Sequence, residues 1–178
     1  MLLCVWVAAW EFECWQPDLT VGDTWGGAFY LSAAQPWWSK YVSSPLPREV
    51  RDFGVVEFDG DVIRPARSDS DAAFVAVGAA RVGVFGATAS GHQHFRGRLD
   101  FEGHGGGGYE IDDLDCEGTV TRIQGVSYTY APTDSVDDEG MAPVAQNEPR
   151  DLQTTFNPEA TGGHEFGIFL IDLDVADN

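Results

Sequence analysis

From residue 92 to residue 102 the chain alternates with period two. His92, His94, Arg96, Arg98, Asp100 and Glu102 face one way; Gln93, Phe95, Gly97, Leu99 and Phe101 face the other. Successive side chains of an extended strand point to opposite faces, so this stretch predicts a β-strand with one wet and one buried face. Shorter apolar stretches carry the same signal elsewhere. Val5, Val7 and Ala9 alternate with Trp6, Ala8 and Trp10, which predicts a strand over 2–15 with both faces covered at first. From Glu11 onward within it, Glu11 and Glu13 should face water, with Phe12 and Cys14 inside. Val21 to Leu31 reads as a second strand behind a Gly22-Asp23 turn, rich in the aromatics that suit a pleated surface.

Turn chemistry divides the rest. Asp59-Gly60 between apolar runs predicts a hairpin over 54–63. Residues 74–87 read as two strands joined at Gly78 to Arg81; a helix over 72–86 is disfavoured by Gly78, Gly83 and Gly86. Residues 103–108 are a glycine-rich connector, and 118–130 a strand pair turning at Gly125. Residues 131–163, with Pro132, Pro143, Pro149 and Pro158, read as a long irregular loop, and 165–175 as the last strand. One short helix is expected near 36–42, with Pro36 at its first position and Trp37 and Tyr41 sharing a face. The expected fold is therefore mainly β: one domain over 1–178, an antiparallel β-barrel or sandwich. The openings VGDTW and GTVTRI are of the kind seen in SH3-like barrels.

Charge narrows the partners. Twenty-nine Asp and Glu against ten Lys and Arg give a formal charge of −19. Such a surface repels phosphate backbones and anionic lipid, so neither nucleic acid nor membrane is expected as a partner. The apolar opening lacks a positive leader and stops at Glu11, short of the roughly 20 residues that span a bilayer. Three cysteines, Cys4, Cys14 and Cys116, suit reduced thiols in a cytoplasmic protein better than a disulfide framework. Lys40 is the only lysine, beside 18 Asp. GC-rich codon usage and adaptation to high salt both account for that balance.

The segments VWVAAWEFECW, VGDTW, GTVTRIQGVSYTYAP and FGIFLIDLD together resemble an uncharacterised family of small bacterial β-domain proteins, a domain of unknown function. The likeness covers about residues 3–42, 116–133 and 165–176. It implies a β fold and a bacterial cytosolic setting, and it implies no activity. The family's adjacent histidine pair is split in this chain into His92, His94 and His104.

Those histidines form the sharpest chemical candidate. His92 and His94 project from one strand face about 6–7 Å apart. His104, Asp100 or Glu102 could complete a site for zinc or another divalent metal. Against this, Arg96 and Arg98 share the face, and the alternative is a solvated surface of Arg–carboxylate pairs. The run Asp113 to Gly118 echoes the front of a calcium loop, but its twelfth position is Gln124. Cys116 sits among carboxylates that disfavour its thiolate. No GxSxG or phosphate-binding motif is present. Adjacent Trp37 and Trp38 cannot both enter one core from a helix, so with Tyr41 they are candidate contacts for a protein partner or for self-association. Two functions follow: a non-catalytic protein-interaction or ligand-binding module needing no cofactor, or a metal-dependent enzyme built on His92, His94 and His104.

Overall fold

The structure is a computed structural model, and it describes residues 1–14, 17–32, 54–64, 72–85, 91–101, 116–132, 141–145, 148–156 and 166–177. These are β almost throughout. The strands are β1 (Leu2–Ala8), β2 (Thr24–Gly27), β3 (Phe29–Ser32), β4 (Val55–Ile63), β5 (Ala72–Val77) and β6 (Ala80–Phe85). They continue with β7 (Gly91–Phe101), β8 (Cys116–Val126), β9 (Tyr128–Pro132), β10 (Met141–Ala145), β11 (Arg150–Leu152) and β12 (Ile168–Asp174). One helix, α1, spans Ala9–Cys14.

Five strands close on themselves in the order β7-β3-β6-β5-β4, with β4 returning to β7. Closure leaves those five with no free sheet edge. All contacts in the ring are antiparallel except β3 with β6. β7 is long enough to serve two structures. Its first eight residues, Gly91 to Arg98, pair with β4. Farther along that edge Leu99 and Asp100 pair in parallel with Val5 and Trp6 of β1. From β1 the sheet runs on through β12 and β8, and β2 and β11 both flank β8. The barrel thus opens at one corner into an extended sheet.

Alternation explains the burial. In β4, Val56, Phe58, Gly60 and Val62 are buried, while Glu57, Asp59, Asp61 and Ile63 are exposed. The inward side chains of the barrel and one face of the extended sheet form a continuous core that includes Val5, Phe29, Val82, Leu99, Phe101, Phe169 and Ile171. Trp25, Phe29 and Phe101 meet with ring centroids 5.2–6.2 Å apart, at tilted angles.

The structure departs from the sequence reading in several places. β1 stops at Ala8, where α1 begins, sending Ala9 and Phe12 into the core. That three-residue spacing is helical, and it turns Glu11 inward instead of out. The hairpin at Asp59-Gly60 is absent. Gly60 is not among the glycines with positive φ, and a Cβ there would strike Val75, so β4 runs straight through. Gly78, at φ 60°, does make the β5–β6 turn. Gly125 also lies within a strand, because the Phe166 ring occupies the space of its missing side chain. The segment 131–163 is not uniformly irregular: it holds the end of β9, all of β10 and β11, and a bridge from Thr154 to Thr20. Proline lacks the ladder N–H but is tolerated at edges, and β9 and β10 form a separate two-stranded ribbon. The helix expected near 36–42 lies outside the described residues.

Candidate functional site

β4 and β7 set three acid–base pairs directly opposite one another: Glu57 with Arg96, Asp59 with His94, and Asp61 with His92. His94 is held twice, with Nδ1 3.0 Å from Asp59 Oδ1 and Nε2 3.0 Å from Glu57 Oε1. His92 Nδ1 lies 3.3 Å from Asp61 Oδ1, and Arg96 Nε 4.0 Å from Glu57 Oε2. As an imidazolium, His94 donates from both nitrogens, and the bond to Asp59 above all holds its pKa above the ordinary histidine value. Among the described residues no three His, Cys, Asp or Glu side chains are grouped to hold a metal ion. Asp100 lies six residues along β7 from His94, roughly 20 Å away, and cannot join it as a ligand. His104 and Glu102 lie outside the described residues, as do Trp37, Trp38 and Tyr41.

A raised folded pKa means protonation favours the fold. That contribution is complete below about pH 6.5, the unfolded value, and fades as pH rises through the higher folded one. His94→Gln is therefore expected to lower Tm more at acid pH than above neutrality, with a small effect because the pair is exposed. A Tm difference independent of pH would contradict this assignment.

The wet face predicted for β7 ends at Arg96. Arg98 is 1% exposed and Asp100 7%, and Glu11 of α1 is 1% exposed. The cause is the parallel contact with β1, which sets Trp6 beside Asp100. The Arg98 guanidinium lies 4.2 Å from the centre of the Trp6 ring, a cation–π distance. On the other side of β7, Asp100 faces Tyr30, itself buried. Where β1, β7 and α1 meet, a cavity of about 10 Å3 is lined by Trp6, Glu11, Asp100, Phe101 and Ile168. That is room for about one water molecule. Burying ionised groups costs several kcal/mol each unless their surroundings compensate, so three in one place are expensive to keep. The alternation of 92–102 hid this site, because period two assigns a face and cannot say whether that face is wet.

Neither of the two described thiols, Cys4 and Cys116, is an activated nucleophile. Burial, then Asp172, pushes the Cys4 thiol well above its usual range, and Cys116 is buried. Cys4 instead opens a polar row across the sheet through Asp172, Arg122 and Asp151. Arg122 Nε lies 2.8 Å from Asp151 Oδ1 and holds that carboxyl below its ordinary pKa. Glu117 and Gly118 lie within β8, not in a calcium loop. Among the described residues no helix is long and apolar enough to cross a membrane. No protein-family model, curated protein or solved structure matches the chain.

Proposed function

We propose that this chain is a non-catalytic, cytoplasmic binding domain whose recognition site is the cavity between Trp6, Glu11 and Asp100. The supporting observation is the burial of Glu11, Asp100 and Arg98 around Trp6 at the corner where barrel and sheet part. Buried ionisable groups in a pocket mark functional sites more often than other places. The lining chooses by sign and size. The Glu11 and Asp100 carboxylates outnumber the single Arg98 guanidinium beside them and favour a cation, and one-water room admits a primary ammonium head but nothing larger. A lysine side chain or an amino terminus of a protein partner, or of a second copy, carries that group. The resemblance to small bacterial β-domain proteins adds no activity to this reading. The alternative, a metal-dependent enzyme around His92, His94 and His104, is favoured by no observation among the described residues.

Methylammonium chloride is the probe. Titrated at constant ionic strength, it is expected to give saturable NMR shifts at Trp6 and Ala8 amides. Tetramethylammonium should give none, and Glu11→Gln should abolish the response while leaving the spectrum folded. Absence of saturable shifts in the wild type, or shifts unchanged by Glu11→Gln, would reject the site.

A further inference from the structure

Trp6 is buried, lines the cavity and carries Arg98 4.2 Å over its ring. The nitrogen-bearing edge of the same ring meets Gly54, the residue just before β4. Gly54 has φ 59°, in the left-handed region that glycine enters without penalty. Sterics restrict the position further. A Cβ on Gly54 would lie 2.5 Å from Trp6 Nε1, 3.2 Å from Trp6 Cδ1 and 3.1 Å from Cys4 Sγ. Gly22 and Gly91 also have positive φ, yet a Cβ on either would meet nothing within 4 Å. Glycine at 54 is therefore required by Trp6 as well as by the backbone. One ladder sets both holds on the ring, because Val55, next to Gly54, stands opposite Arg98 in the β4–β7 register.

We propose that Gly54 is a positioning residue for the recognition site: having no side chain, it lets the Trp6 indole lie against the backbone ahead of β4 and so fixes one wall of the cavity. Its effect on binding rests on the ammonium reading above; its hold on the ring does not. Non-bonded carbon atoms sit best at about 3.5–4.0 Å, so a methyl group at residue 54 has to move the indole by roughly 1 Å. The ring is rigid, buried and covered by Arg98, and it cannot swing aside as a long flexible chain would. A wall displaced that far alters a cavity with room for about one water molecule. Gly54 is not among the residues lining that cavity, so its influence on the ammonium group passes through Trp6.

Gly54→Ala, Trp6→Phe and the double variant test this. The indole N–H signal missing from the NMR spectrum of Trp6→Phe is that of Trp6. Gly54→Ala is expected to move this signal and to weaken methylammonium binding by about tenfold. Backbone strain at residue 54 is the same in both backgrounds and cancels between them. The Tm loss from Gly54→Ala is therefore expected to fall to less than about half in the Trp6→Phe background, which lacks the Nε1 edge. A Gly54→Ala chain that folds only in that background supports the proposal, and one that folds in neither overturns it. An unmoved indole signal, equal Tm losses in the two backgrounds, or an unchanged affinity for methylammonium in a parent that binds it also overturns it. A parent that fails to bind methylammonium rejects the ammonium reading, and the indole signal and the Tm comparison then decide by themselves whether Gly54 holds the ring.

Discussion

Arg98→Met is expected to destabilise the protein by about 3–5 kcal/mol, the usual cost of breaking a buried charged arrangement by removing one member. Arg98 is 1% exposed and covers the Trp6 ring at 4.2 Å. Its loss deprives Asp100, two residues along on the same face, of a nearby cation, while Asp100 itself stays buried. Methionine keeps most of the side-chain volume, so the loss reports charge more than packing. Arg98→Met/Asp100→Leu is expected to recover part of the stability, because an apolar pair avoids stranding one charge in a dry site. Urea unfolding of the two variants at matched salt gives both numbers. A single variant within about 1 kcal/mol of the parent would mean that the buried cation adds little.

The second large effect belongs to Phe169. It is 0% exposed, sits on β12 between Val7 and Gly125, and meets Phe12 edge-on at 5.5 Å and Phe166 at 6.4 Å. Phe169→Ala is expected to cost about 3–5 kcal/mol, from lost transfer energy plus the cavity left behind. The neighbours cannot collapse into that space cheaply. Phe166 already fills the gap above Gly125, and Phe12 is tied to the six-residue helix that carries Glu11. Methylammonium binding should therefore weaken alongside stability, whereas Phe58→Leu, opposite Phe95 and five residues along β7 from Asp100, should lower stability without touching binding. Measuring Tm and the NMR titration on both variants separates the effects.

Local patterning made much of the fold legible. Strands at β7, at β5 and β6 with their Gly78 turn, and at β12 follow from alternation, β-branched residues and one glycine free to adopt positive φ. The mistaken turns at Gly60 and Gly125 share one cause. A glycine in a strand can mark a bend or a close approach, and only the neighbouring sheet shows which. Here Val75 and Phe166 claim the space.

By itself the sequence determined that the chain is β, that one face of most strands is apolar, and that its exterior is heavily anionic, because side-chain period and net charge are properties of the chain alone. Only the tertiary structure decided that β4 returns to β7 to close a barrel, and that β1 takes up the rest of that edge. The same parallel contact moved Arg98 and Asp100 from water into the interior and brought α1, with Glu11, over them. Pairing between strands distant in the chain is set by which edges and faces remain uncovered once all the others have packed. No local pattern encodes that, and the candidate site lies where that packing left it.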